Sequence, residues 1–128
     1  MATHVLDASA VIALMGREPG GDRVRELIRS GGAGISTDNV SEVAAKLVAR
    51  GADPATAERQ CRSLGLEFLE VDARVAFSAA ALLPATSVLG LSLGDRICLA
   101  TAEQHGVPAV TANRAWARVA GAVVEWIR

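Results

Sequence analysis

The stretch VLDASAVIAL, residues 5–14, sets one carboxylate, Asp7, in an otherwise apolar run. A buried charge costs several kcal/mol unless it is paired or bound to a cation. No Lys or Arg lies within four residues of Asp7, so its partner comes from elsewhere in the fold. That partner is a hydrogen-bond donor or a metal ion. Asp95 raises a similar question, because Leu99 and Ala102 share its helix side at i+4 and i+7, and a carboxylate interrupts that apolar stripe. Each acid also has a structural alternative. Asp7 could accept backbone amides of a following helix, and Asp95 could serve the first turn of its own, where negative charge is favourable. Glu42 reads differently: Val40, Val43, Ala44 and Leu47 cluster on a helical wheel and Glu42 falls roughly opposite. With Lys46 at i+4, pattern alone predicts a solvated ion pair. Asn113 has the common role of a turn residue as its alternative.

Other chemistries find less support. Asp7-Ala8-Ser9 lacks the second aspartate of an aspartyl-phosphate loop, and no G-x-G-x-x-G or Walker loop occurs. His4 and His105 form no constellation with a nucleophile. Cys61 and Cys98 are too far apart for a metal knuckle, and two cysteines in such a chain suggest a reduced, cytoplasmic protein. A net charge of −1 gives no electrostatic footprint for nucleic acid by itself. No leader pattern or membrane-length apolar run is visible, so no membrane association is expected.

The elements that must position these residues alternate. Residues 3–6, 32–37, 66–71, 107–111 and 122–127 read as strands. Helices are expected over 10–15 with Ser9 as cap, over 22–29, and after Thr37 or Asp38 as far as Gly51. Further helices are expected from Asp53-Pro54 to Gly65, from Asp72 to near Pro84, and over 92–105 with Ser92 and Asp95 at capping-box spacing. With 128 residues, 51% of them hydrophobic and 21% charged, the chain suits one globular α/β domain spanning 1–128. Alternating strands and helices imply a mainly parallel central sheet covered on both faces. In such sheets the working crevice lies beyond the carboxyl ends of the strands, where Asp7, Thr111 and Asn113 fall.

Taken together, VLDASAVIAL (5–14), SEVAAKL (41–47), GLSLGDRICLATA (90–102) and VTANRAW (110–116) resemble, in order, the motifs of PIN-domain proteins. The closer resemblance is to the small VapC-type toxins of bacterial toxin–antitoxin pairs. GLSLGDRICLATA is the most specific part, and the resemblance spans nearly the whole chain. It implies a three-layer α/β/α fold, a homodimer, a cognate antitoxin partner, and Mg²⁺- or Mn²⁺-dependent cleavage of RNA. Carried over residue by residue, it makes Asp7, Glu42 and Asp95 the catalytic acids, with Asp7 and Asp95 as metal ligands. Ser9 and Thr111 match supporting hydroxyls, and Trp116 a recurring aromatic read as packing. Asn113 stands where the family often has an acid, which removes one negative charge. A metal-activated water then becomes the attacking group, since no His, Cys or Lys is placed to serve. Arg96, beside Asp95, is the first candidate for a phosphate contact. The alternative is a catalytically weak PIN-like module that binds protein, a reading that Asn113 favours.

Overall fold

A computed structural model describes residues 1–128. Five short strands, β1 (His4–Leu6), β2 (Ala33–Ser36), β3 (Glu67–Leu69), β4 (Ala109–Thr111) and β5 (Val124–Trp126), form one sheet. All pairs are parallel, and the strand order is β3-β2-β1-β4-β5. Parallel neighbours need crossover connections, which helices supply, so both faces of the sheet are covered.

On one face lie α1 (Ala8–Met15), α2 (Gly21–Arg29), α3 (Thr37–Ala49) and α4 (Pro54–Arg62). They bury Leu6, Ile35 and Val110 of the sheet against Val11, Val24, Leu27, Val43 and Cys61. On the other face lies α7 (Leu93–His105), which packs Cys98, Leu99 and Ala102 over Val5 and Ala109, with Trp116 and Val119 beside them. Beyond α7 sits α5 (Ala73–Ala81), held through Val75, Ala79, Ile97 and Ala100. Consecutive strand residues such as Val5 and Leu6 thus enter opposite cores, as period-two side chains must. This is the α/β/α arrangement that the sequence predicts.

Local boundaries differ in instructive ways. Asp7, not Ser9, caps α1: its side chain accepts from Ala10 N and the helix already begins at Ala8. Ser36, not Thr37 or Asp38, caps α3 by accepting from Asn39 N. In both cases the last strand residue or its neighbour enters the helix directly, so no separate loop residue is available to cap. The helix expected to run from Asp72 to Pro84 divides in two. α5 ends at Ala81, and a four-residue helix α6 (Leu83–Thr86) carries Pro84 in its first turn, where the missing N–H costs nothing. The capping box of α7 is formed as expected, with Ser92 and Asp95 bonded reciprocally.

β1 is the point at which the strand order reverses, with β2 on one side and β4 on the other. In sheets of this kind the crossovers diverge beyond the carboxyl ends at such a point, and ligands bind in the crevice between them. Farther out, Arg23 of α2 clamps the last strand through Glu125, with Nε donating to Oε2 at 2.7 Å and Nη2 to Oε1 at 3.1 Å. That guanidinium holds the Glu125 carboxyl below its ordinary value.

Candidate active site

Asp7 follows directly on the carboxyl end of β1 and is 4% exposed. Its Oδ1 accepts from Ala10 N at 2.8 Å and from Ser9 Oγ at 2.7 Å. Its Oδ2 accepts from Thr111 Oγ1 at 2.6 Å, while the Ser9 hydroxyl reaches it at 2.9 Å. The two hydroxyls are fixed in turn: Ser9 Oγ accepts from Ala112 N and Thr111 Oγ1 from Asn113 N, each at 3.0 Å. Three donors therefore serve a carboxylate with about four lone-pair positions. Burial nevertheless outweighs them and raises the Asp7 carboxyl above its ordinary value, with the Asp95 charge adding to the rise. The structure answers the question of partners with hydrogen bonds to Ser9, Thr111 and Ala10, and leaves part of the charge uncompensated.

Glu42 does not form the surface ion pair with Lys46 that the helical wheel predicts. Its Oε1 accepts from Asn39 Nδ2 at 2.7 Å, and the carboxyl lies against Gly94, so close that a Cβ there would overlap it. The wheel assumes a helix with one buried side; α3 packs on the sheet and also meets the start of α7. Glu42 as a residue is exposed, yet its carboxyl is tucked between elements. Loss of water raises its pKa first, opposed by the Asn39 hydrogen bond, and the charges of Asp38, Asp95 and Asp7 raise it further. Glu42, Asp7 and Asp95 are thus within electrostatic reach of one another, brought together from α3, the end of β1 and the start of α7.

Asp95 remains engaged with its own helix, accepting from Ser92 N at 2.9 Å through Oδ2. Asn113 is exposed and uses its Oδ1 to accept from Ala115 N at 3.0 Å, which caps the short 3₁₀ helix Arg114–Arg118. It joins the cluster through its backbone N–H on Thr111. Arg96 is turned aside: its Nη1 donates to the Ala79 carbonyl at 3.3 Å, which engages the guanidinium with α5 rather than leaving it over the acids. One residue along a helix is about 100° around it, enough to separate Arg96 from Asp95. Trp116 is fully buried, as packing requires. Cys98 lies beneath the acids, and burial together with their charges pushes its thiol well up, which argues against a thiolate nucleophile.

Sequence reasoning passed over Asn39. It is 1% exposed and bonds Ser36, Glu42 and the Gly94 carbonyl together. The available signal was an amide three residues before Glu42 at the start of a helix, which by itself reads as a first-turn polar residue.

The donor set bears on which cation suits the site. No three His, Cys, Asp or Glu side chains form a ready-made metal cage. A hydrated Mg²⁺ or Mn²⁺ needs only one or two carboxylates and keeps several waters, so it does not depend on such a cage. Asp95 raises the charge cost of Asp7, and both raise that of Glu42, across three different elements, and a divalent cation is the kind of group that would relieve it.

Comparison with known proteins bears on the fold. The chain has the fold of a chain in DNA-bound VapBC from Salmonella typhimurium, with a TM-score of 0.76, 19% identity and 100% of each chain covered. It also matches a chain of a toxin–antitoxin complex from Klebsiella pneumoniae, with a TM-score of 0.74, 21% identity and 98% of each covered. VapBC2 from Rickettsia felis, bound to a promoter DNA fragment, gives a TM-score of 0.73 at 18% identity, over 96% of this chain and 97% of that one. No curated protein matches the chain. No helix is long and apolar enough to cross a membrane. The PIN domain family model matches residues 4–122, most of the chain and every site element described above, and the chain therefore belongs to the PIN domain family.

Proposed function

We propose that this protein is a metal-dependent endoribonuclease, the VapC-type toxin of a toxin–antitoxin pair. The observation that carries the reading is the buried Asp7 with Glu42 and Asp95 in electrostatic reach, at the crevice where β1 and β4 end. An arrangement that keeps like charges together at a structural cost is characteristic of functional sites. Asp7 and Asp95 would hold Mg²⁺ or Mn²⁺. When bound, the ion supplies charge neutralisation at an RNA phosphodiester and a lowered pKa for the attacking water. Ser9, Thr111 and Ala10 N hold the Asp7 carboxyl in place and oppose the rise that burial imposes on it. Glu42 has one oxygen committed to Asn39, and its Oε2 is left to take a proton from water, a role its raised pKa suits.

Substrate affinity at a net charge of −1 must come from local cations. With Arg96 engaged on α5, Arg114 and Arg118 are the better candidates, both exposed on the segment that follows Asn113. The toxin–antitoxin complexes among the similar structures support a cognate antitoxin as partner. Phe77, Leu83, Val88 and Leu93 are large apolar residues exposed along the chain between α5 and the start of α7, and this stretch is the candidate contact for a homodimer. The protein would then work in the cytoplasm as a single-domain chain.

The test is RNA cleavage by purified protein with Mg²⁺ or Mn²⁺, with EDTA and with Asp7→Ala. Cleavage that requires the cation and Asp7 supports the reading; cleavage that survives EDTA or Asp7→Ala rejects it. A second reading, a weakly catalytic protein-binding module, is favoured by Asn113 alone, because an amide replaces an acid and its oxygen is spent on a cap. Absence of cleavage alongside tight antitoxin binding would select it.

A further inference from the structure

We infer that Asn39 is a positioning residue for Glu42, acting with Gly94 as the seat that presents the Glu42 carboxylate to the crevice. The inference rests on the nuclease reading above and concerns a residue that sequence motifs do not mark.

The side-chain amide of Asn39 is fully used. Nδ2 donates to Glu42 Oε1 at 2.7 Å and to the Gly94 carbonyl at 3.3 Å. Oδ1 accepts from Ser36 Oγ at 3.0 Å. The orientation of the amide follows from chemistry: flipped, its oxygen would face a carboxylate and a carbonyl, two acceptors, with no donor between them. Asn39 is buried, so its bonds to Ser36 and Gly94 form away from water, while the bond to Glu42 lies at the edge of the buried region. The three partners belong to three different elements: the end of β2, the second turn of α3 and the start of α7. One amide therefore fixes the acid on α3 relative to the helix that carries Asp95.

Gly94 supplies the space. A Cβ at this position would overlap Glu42 Oε1 and crowd its carboxyl carbon, so only glycine lets the carboxylate lie on the helix start. Its backbone is ordinary helix, and glycine there is unfavourable relative to alanine. A first turn that holds glycine, a poor helix former, where any side chain would displace an acid points to a requirement for the acid's position. Asn39 binds Oε1 only, which leaves Oε2 free of protein donors.

The test is a double-mutant cycle on cleavage, using Asn39→Ala, Glu42→Gln and the pair, with Mn²⁺ binding to the RNA-free protein measured by calorimetry. Asn39→Ala should lower kcat about 10- to 100-fold, the scale of losing a hydrogen bond that orients a site group, with KM nearly unchanged. The pair should be no slower than Glu42→Gln by more than about twofold, because Asn39 acts through Glu42. Mn²⁺ affinity should change far less than kcat. Asn39→Asp keeps the shape but loses the donor, and should be at least as slow as Asn39→Ala. Should the alanine variant fold poorly, Gly94→Ala provides the independent arm: kcat falls while the melting temperature holds or rises. Multiplicative losses in the cycle, an active Asn39→Asp, or an active Gly94→Ala would overturn the assignment while leaving the nuclease reading standing. A wild-type protein that neither cleaves RNA nor binds Mn²⁺ would overturn both.

Discussion

Replacing Asp7 by asparagine should stabilise the metal-free protein at neutral pH. The buried network can accept an amide without losing a partner. The amide oxygen would keep the Ala10 N–H and the Ser9 hydroxyl, and the amide nitrogen would donate to Thr111 Oγ1. Thr111 Oγ1 already accepts from Asn113 N, and a hydroxyl oxygen has room for a second donor. Its own proton can turn to Ser9 Oγ, 3.3 Å away. Three charge-assisted bonds become neutral ones, at a cost of about 2–3 kcal/mol in total. Relief from burying the charge returns several kcal/mol. Because burial already outweighs the hydrogen bonds and raises the Asp7 carboxyl, the balance favours the variant, and each gain of about 1 kcal/mol would appear as about 3–5 °C in melting temperature. The sign with pH follows. A carboxyl whose folded pKa lies above the unfolded value leaves stability intact below the ordinary 3.8 and removes it as pH rises through the folded value. The gap between the Asp7→Asn variant and wild type should therefore open from low pH towards neutrality. Thermal melts in EDTA from pH 4 to pH 8 measure it. A variant less stable than wild type by a pH-independent margin would refute the reasoning and make Asp7 a structural cap.

Asn113→Asp should tighten Mn²⁺ binding and raise the cleavage rate without altering the melt, since an aspartate oxygen can still cap the 3₁₀ helix; calorimetry and a cleavage assay read the two effects. Arg114→Ala and Arg118→Ala should each weaken RNA binding and flatten its salt dependence by about one unit of slope, whereas Arg96→Ala should leave the slope unchanged; binding titrations at several salt concentrations distinguish them. Arg23→Met should lower stability at pH 7 by roughly 0.5–1 kcal/mol, because the partly exposed pair with Glu125 is screened by solvent. The Glu125 carboxyl is held below its ordinary 4.5, so this contribution is present above that value and lost as pH falls through the lowered one, which denaturation at acid and neutral pH will resolve.

The sequence by itself determined the layers. Alternation of short apolar strands with capped helices leaves a parallel sheet as the way to bury both strand faces, and Ser92-x-x-Asp95 and Asp53-Pro54 mark helix starts through local chemistry alone. It also located Asp7 and Thr111 at strand ends, because strand ends are local features. What tertiary structure decided was which side of each helix meets a second partner. Glu42 looks like a solvated residue on any wheel drawn for one buried side. Only the approach of α7, with a glycine at the contact, turns that side inward. Asn39 could not be recognised for the same reason, since two of its three side-chain partners are reached through β2 and through a helix 55 residues away. Arg96 carries the converse lesson: adjacency to Asp95 in sequence is separation on a helix, and packing of α5 on α7 claims its guanidinium. Local propensities are written in neighbouring residues, whereas the direction of a side chain's charge is settled by elements that neighbouring residues do not contain.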